Sequence, residues 1–529
     1  MAEHELVTLT IEGTEVTVPK GTTVLEAAKQ AGVLIPHYCY HPGLPIAGVC
    51  RMCLVEIEGA PKLQIGCQAQ VADAQVVHVL SAEARKARQS VLEFLLINHP
   101  LDCPICDQAG ECELQDYVFQ EGRSRTRYTP MYPKRFNPVE DFGGDVLYVP
   151  NRCILCTRCV RFMDHVAQDS ILNVSERGDR AYIGIHPDRE LTHPWAGNVV
   201  DLCPVGSLLS KDFLHKARAW ELDKTAGICT GCSQGCNVNL DTRSEVVVRI
   251  RPRTNLEVNR YFICDHGRLH YRWMNRGDRI EAPLVGRGAE LAATDWDTAL
   301  AEAATVMRGA AGKAVALVSP GASCEALFLV KQVLAGFDVT GLFRVERTSG
   351  EETPLAGVPH LALRNERAPN VAGATLLGYR EAEGAWANAV ADSSVLLVLD
   401  DDLHGMERDV LERAGNVIYL GTALPEAARG ARAVLPVANV AEEDGTFVNR
   451  DRRVQRFFQA KATPGMARPA WWVLGELLAQ LDVAEPIGAA SEAFDRLAGT
   501  EKAFAGLSYG RLGYRGAVVG DAKPAPVSQ

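Results

Sequence analysis

Residues His99–Cys112 read HPLDCPICDQAGEC, a histidine and three cysteines at the spacing H-x3-C-x2-C-x5-C. Four soft or borderline metal ligands sit in a segment too short to bury them by its own folding, so the stretch reads as a metal site. Just upstream, VLEFLLINH is an apolar helical run expected to deliver His99 into the interior. A lone histidine on such a face is ordinarily a satisfied core residue. Here three cysteines follow at once, a four-cornered cluster needs a fourth ligand, and no spare cysteine lies nearby, which favours His99 for that corner. Pro100 and Pro104 stiffen the loop, and Gly110 permits a tight turn before Cys112.

The whole chain has 529 residues, more than one hydrophobic core usually supports, so three or four domains are expected. Its hydrophobic fraction of 47% and charged fraction of 23% are those of a globular protein. A net charge of -11 argues against a nucleic-acid partner. No apolar run of about 18 residues is present, so a membrane role is expected only through partner subunits. The start, MAEHELVTLTIEG, lacks the basic and apolar regions of a secretion signal. Sixteen cysteines are therefore expected as reduced thiols and not as a disulfide framework. Fifteen precede residue 265, and only Cys324 follows.

The other front cysteines fall into three sets. Cys39, Cys50, Cys53 and Cys67 are spaced C-x10-C-x2-C-x13-C. Upstream, Val7–Ile11 and Glu15–Val18 alternate like two strands around Gly13-Thr14, and Thr23 caps an expected helix Val24–Ala31 stopped by Gly32. Strand, strand, helix and cysteine loop is the order of plant-type [2Fe–2S] ferredoxins, although those space the first pair C-x4-C. Gly43 and Gly48 suit a loop whose amides approach cluster sulfurs. A zinc knuckle is the alternative, which distant flanking cysteines fit poorly.

Cys153, Cys156 and Cys159 form C-x2-C-x2-C, with Cys203-Pro204 remote, a [4Fe–4S] pattern in which Cys203 closes the set. Cys229, Cys232, Cys236 and Cys264 form C-x2-C-x3-C-x27-C, a further cubane pattern. Fifteen cysteines and His99 thus supply sixteen ligands for four clusters, leaving Cys324 as a small core residue. Arg152, Arg158 and Arg161 flank the third set, either to balance its negative charge or as solvated surface.

On these motifs (PHYCYHPGLPIAGVCRMCLVE, LEFLLINHPLDCPICDQAGECELQD, NRCILCTRCVRF and DLCPVGSLLSKDF) the front 280 residues resemble the large iron–sulfur subunit of respiratory complex I, NADH:quinone oxidoreductase. In that family the matching histidine joins the three cysteines on a [4Fe–4S] cluster, which the resemblance carries to His99. It implies one [2Fe–2S] cluster on Cys39, Cys50, Cys53 and Cys67. It implies three [4Fe–4S] clusters on His99, Cys103, Cys106 and Cys112; on Cys153, Cys156, Cys159 and Cys203; and on Cys229, Cys232, Cys236 and Cys264. It implies a multidomain α+β and α/β chain: a β-grasp [2Fe–2S] ferredoxin domain over 1–80, a two-cubane ferredoxin-like domain over 81–220, a third cubane domain over 221–280, and an α/β molybdopterin-oxidoreductase-like domain over 281–529. The stretch VANVAEEDGTFVNRDRRVQRFFQA (437–460) resembles that back domain, which is shorter than the family's usual one.

The back half shows short apolar runs at Ala314–Val318, Val395–Leu399 and Val417–Gly421, with helices at Trp296–Met307 and Cys324–Leu334. A molybdopterin site is opposed by Cys264-Asp265-His266-Gly267, where those enzymes typically carry C-x-K-G, and by the lack of a downstream metal-ligand context. RGAAGKAV is read as a helix-to-strand turn and not a P-loop, and no G-x-G-x-x-G follows a strand. Neither molybdopterin, FMN nor NAD is expected on this chain, nor an independent substrate site.

The implied function is an electron-transfer subunit relaying single electrons from the flavin module toward quinone. The implied partners are the flavin-bearing NADH-oxidising subunit, a small [2Fe–2S] subunit, a two-cubane ferredoxin-like subunit and the quinone-module subunits. The implied location is peripheral, on the cytoplasmic side of a bacterial inner membrane. In the family the cluster matching Cys229–Cys264 lies off the main route. Two alternatives are a large or diaphorase-linked subunit of a soluble NAD-linked formate dehydrogenase or hydrogenase, and a colourless zinc-stapled scaffold. The tail GDAKPAPVSQ (520–529) reads as disordered or as a partner-binding strap.

Overall fold

The computed structural model describes residues 5–127, 136–287, 290–383, 386–406 and 408–519. The C-terminal tail 520–529 lies outside the described residues. The chain divides into two units, Met1–Leu222 with Leu355–His360, and Asp223–Pro354 with Leu361–Gln529.

The first unit begins with β1 (Leu6–Ile11) and β2 (Thr14–Pro19), paired antiparallel around Gly13 at φ 78°. Thr23 caps α1 (Val24–Gln30) by accepting the Glu26 amide at 3.3 Å. With β3 (Leu54–Ile57), β4 (Gln64–Ile65) and β5 (Val76–His78) the strands form a mixed sheet of order β2-β1-β5-β3-β4. Its alternating inward residues Val7, Leu9 and Ile11 pack with Leu25, Ala28, Cys53 and Cys67. The expected strand-strand-helix order is present, each boundary within a residue or two.

Next come α2 (Ala82–Asn98), capped by Ser81, and α3 (Glu113–Glu121). The third cysteine set is held against an antiparallel three-stranded sheet of Leu208–Ser210, Val146–Tyr148 and Glu140–Gly143.

The second unit opens with a three-stranded antiparallel sheet, Asp223–Ile228, Asn237–Arg243 and Val246–Pro252. Its main layer holds six parallel strands: β6 (Lys313–Val318), β7 (Asp338–Phe343), β8 (Arg380–Glu381), β9 (Val395–Leu399), β10 (Val417–Gly421) and β11 (Ala433–Pro436). Their spatial order is β8-β7-β6-β9-β10-β11. Both faces are covered. Ala314, Ala316 and Val318 enter one core with α4 (Cys324–Val333), while Val315 and Leu317 enter another with Val410 and Leu411. Continuous apolar runs mark such two-sided burial. RGAAGKAV spans the end of the helix Trp296–Gly309 and the start of β6, as expected.

Candidate metal centres

The first set lies on the loops between α1, β3 and β5. Cys39, Cys53 and Cys67 are buried, and Cys50 is half-buried. The thiols hydrogen-bond in a chain, Cys50–Cys39–Cys67–Cys53. The Cys39 amide also donates to Cys50 Sγ at 3.5 Å. Hydrogen bonds from Cys50 and then Cys67 hold the Cys39 thiol far below its usual range. Gly48 takes φ 64°, as its loop role requires. The Gly43 amide, in contrast, is spent on His41 Nδ1 at 3.1 Å, so it is not directed at sulfur.

The second set is where the structure corrects the sequence. Helix α2 stops at Asn98, and His99 is its C-cap, half-buried. Phe94 in the last turns is 75% exposed. The helix therefore delivers His99 to a cavity near the surface and not into the interior. Leu96 lines that cavity, while Val91, Leu92 and Leu95 of the same helix pack into the buried cluster around Tyr38. The cavity, about 260 Å³, is lined by His99, Cys103, Cys106 and Cys112 together. Cys112 caps α3, and the amides of Gln115 and Leu114 face its sulfur at the positive end of that helix. Gly206 forms part of the wall, where an added Cβ would stand 2.1 Å from Cys106 Sγ.

In the third set Leu155 and Thr157 take left-handed conformations at φ 52° and 60°, which cost about 1–2 kcal/mol each. This turns the backbone inward, and the Leu155 amide donates to Cys153 Sγ at 3.4 Å. The Tyr148 hydroxyl bonds Cys153, and the amides of Val205, Ser207 and Leu208 face Cys203. Arg152, Arg158 and Arg161 are 8%, 4% and 8% exposed, so the solvated-surface alternative fails. Arg158 pairs with Glu113 at 2.8 Å and donates to the carbonyls of Leu202 and Tyr40. Arg152 pairs with Asp102 at 2.9 Å.

The fourth set, in the other unit, gathers Cys229, Cys232, Cys236 and Cys264 at 5–6% exposure. Cys229 and Cys236 are joined by a backbone bond of 2.8 Å. The Gly231 amide donates to Cys229 Sγ at 3.5 Å and the Gly267 amide to Cys264 Sγ at 3.3 Å. An added Cβ on Gly267 would stand 2.8 Å from Cys229 Sγ. His266 is stacked on His270 with ring centroids 5.3 Å apart. Cys324 is fully buried in the α4 core, donating to Asn370 Oδ1 at 3.4 Å.

Burial pushes Cys112 and Cys203 up to about 11 and Cys156 and Cys229 to about 12. Thiols this buried need added positive charge to ionise, which a bound iron–sulfur core supplies. Inward amides and glycine walls suit such a group at all four sets. Among the described residues no three His, Cys, Asp or Glu side chains meet the geometry of a single bound ion. The glycines 206 and 267 and Tyr148 escaped sequence reading. Gly206, two residues after Cys203-Pro204, and Gly267, three after Cys264, were visible signals.

The first three sets share one apolar cluster. Tyr38, Cys39, Met52, Leu92, Cys112, Tyr117, Cys156 and Val205 pack together, with Cys50 and Cys203 against them. Tyr38 is fully buried, electrostatically coupled to both Cys112 and Cys50, and stacked edge-on against Tyr117.

Family-level matches follow the same order along the chain. They are a 2Fe-2S iron-sulfur cluster binding domain over 4–81, an NADH-ubiquinone oxidoreductase-G iron-sulfur binding region over 88–127, and an NADH-quinone oxidoreductase subunit 3 ferredoxin-like domain over 143–209. A molybdopterin oxidoreductase Fe4S4 domain matches 222–276 and molybdopterin oxidoreductase 357–480. An NADH-quinone oxidoreductase subunit of Rickettsia bellii is 40% identical over 330 residues, 62% of this chain and 48% of that protein. The mitochondrial NADH-ubiquinone oxidoreductase 78 kDa subunit of Neurospora crassa is 45% identical over 298 residues, 56% and 40% of the two chains. The NADH dehydrogenase [ubiquinone] iron-sulfur protein 1 of Solanum tuberosum is 44% identical over 306 residues, 58% and 41%. The chain thus spans less than half the length of these relatives. A chain of an NAD+-reducing [NiFe]-hydrogenase structure is 31% identical, covering 40% of this chain and 90% of its own, with a TM-score of 0.36.

Proposed function

We propose that this chain, a homologue of the large iron–sulfur subunit of NADH-quinone oxidoreductase, is an electron-transfer subunit of such a complex, relaying single electrons from a flavin module toward quinone. In this reading Cys39, Cys50, Cys53 and Cys67 hold a [2Fe–2S] cluster. His99 with Cys103, Cys106 and Cys112, Cys153–Cys159 with Cys203, and Cys229–Cys236 with Cys264 each hold a [4Fe–4S] cluster. The domain limits at residues 80, 220 and 280 belong to the same reading. The observation that carries it is the single apolar cluster in which cysteines of the first three sets pack.

Bound clusters supply one-electron exchange with little rearrangement. The chain's own residues do the rest. Arg158 and Arg161 place buried positive charge beside the third set, offsetting the negative charge that thiolates would bring. Inward amides and the Tyr148 hydroxyl donate to sulfur, and Tyr38, Met52 and Leu92 exclude water between sets. The third set touches both others. Arg161 bonds the carbonyls of Cys39 and Cys156, while Cys203 is an electrostatic neighbour of Cys112. The reading orders the sets first, third, second, with the third in contact with each of the others.

The His99 set ends this sequence. Cys103 is exposed there, with Leu101 90% and Phe119 89% exposed around it, which suits contact with a partner carrier. The partners in this reading are the flavin-bearing subunit, the small [2Fe–2S] subunit, the two-cubane subunit and the quinone module. The location is peripheral at the cytoplasmic side of a bacterial inner membrane. Among the described residues no helix is long and apolar enough to cross a membrane.

Anaerobic purification followed by iron, sulfide and zinc analysis tests the reading, with about 14 iron atoms per chain expected. Several zinc atoms and almost no iron in a sample never exposed to air would overturn it.

A further inference from the structure

Arg158 lies between Cys156 and Cys159, at the start of the short helix Arg158–Arg161. Its guanidinium reaches the flank of every cysteine set in the first unit. Nη1 and Nη2 grip the Glu113 carboxylate as a fork, at 2.8 and 3.1 Å, and Glu113 follows Cys112 of the second set. Nη2 also donates to the Tyr40 carbonyl at 2.9 Å, one residue beyond Cys39 of the first set. Nη1 donates to the Leu202 carbonyl at 3.2 Å, one residue before Cys203 of the third. The Glu113 amide adds a bond of 2.9 Å to the Pro204 carbonyl, which joins the second and third sets directly.

Arg161 is the contrast, because its carbonyl partners Cys39, Pro45 and Cys156 belong to the first and third sets. Arg158 gathers groups 118, 45 and 44 residues away onto one planar head. Only a rigid fork of several donors holds a bidentate carboxylate and two carbonyls at once, which a lysine ammonium cannot do. The two ends of the ion pair are not equally wet. The Arg158 side chain is 5% exposed and that of Glu113 36%, so water screens the carboxylate more than the guanidinium. Arg158 is also an electrostatic neighbour of both Cys156 and Cys203. The pair therefore presents a net positive field to the third set.

Resting on the electron-transfer reading, we infer that Arg158 is a positioning residue shared by the three front clusters: its fork fixes the spacing of the three cysteine sets, and its charge holds up the reduction potential of the third. An electron arriving at the third set adds negative charge, which an enclosed guanidinium favours, since net charge and burial help to set a cluster's potential. Glu113 trims that effect. Neutralising Arg158 and neutralising Glu113 thus shift the same potential in opposite directions, whereas loosened packing alone gives no such change of sign.

Anaerobic redox titration of the full chain, followed by electron paramagnetic resonance, tests this in Arg158→Gln, Arg158→Lys and Glu113→Gln. The third cluster's signal is assigned by its absence in Cys156→Ser. Arg158→Gln is expected to make that cluster about tenfold harder to reduce, a fall of about 59 mV for one electron. Glu113→Gln is expected to make it severalfold easier to reduce, and Arg158→Lys, which keeps the charge, to stay near the parent. The fork has its own readout: pulsed dipolar measurement between the reduced first and second clusters is expected to give a broader distance distribution in both Arg158 variants. Glu113→Gln leaves one acceptor on the fork, so it decides the sign if Arg158→Gln fails to fold. A potential that falls in Glu113→Gln as well, one that either Gln variant leaves in place, or distances unchanged in both Arg158 variants overturns the proposal. With about 14 iron atoms in the parent such a result overturns this inference alone, whereas a parent free of iron overturns the electron-transfer reading with it.

Discussion

Arg161 donates one guanidinium N–H to the backbone carbonyl of Cys39, 122 residues earlier in the chain. The same nitrogen reaches the Cys156 carbonyl at 3.3 Å, and a second bonds the carbonyl of Pro45. One buried side chain thereby clamps the loop of the first cysteine set to that of the third.

Replacing Arg161 by Gln leaves buried carbonyls without donors. The expected cost is about 3 kcal/mol in chemical denaturation of the full chain. Lysine restores the charge but not the planar fork, so R161K is expected to recover only part of it. A loss below about 0.5 kcal/mol in R161Q would show that the clamp is not structural.

A methyl group at Gly206 would stand 2.1 Å from Cys106 Sγ, and one at Gly267 2.8 Å from Cys229 Sγ. Gly206→Ala is expected to remove the second cluster and Gly267→Ala the fourth, each lowering iron by about four atoms per chain. Iron analysis with electron paramagnetic resonance on both variants checks this, because the first set's signal is expected to survive in each.

His99→Cys exchanges a neutral imidazole for a thiolate. Iron content is expected to hold while the midpoint potential of that cluster falls, the reverse of the rise seen where histidine replaces cysteine. His99→Ala is expected to lose about four iron atoms. A redox titration in which H99C matches the parent would argue that His99 is not a ligand.

Glu325 is fully buried, and burial raises its carboxyl from 4.5 to about 7, against hydrogen bonds from Tyr509 and Thr446. The folded chain keeps this proton after the unfolded chain has lost it. Its contribution is therefore greatest below about pH 4.5 and is lost as pH rises to about 7. Glu325→Gln is expected to flatten that segment of the stability curve. Denaturation of both proteins at several pH values between 5 and 8 measures it, and parallel curves would exclude the assignment.

The sequence by itself determined what short chain segments impose. The C-x2-C triplet of the third set, the His99–Cys112 loop and the Thr23 cap depend on neighbours a few residues apart, so spacing and residue type were enough to read them. The apolar runs Val395–Leu399 and Val417–Gly421 were equally legible, since burial on both faces leaves no room for polar residues. Strand order was not. Spacing along the chain does not say that β9 returns beside β6. Nor did it say whether Arg158 and Arg161 lie in solvent or inside, because their partners Tyr40 and Cys39 are 118 and 122 residues away. The same long-range packing brought His99 to a cavity shared with Cys103, Cys106 and Cys112. Local chemistry chose the groups, and tertiary contacts, which loop-closing chain segments of any length can make at small entropic cost, decided which groups became neighbours.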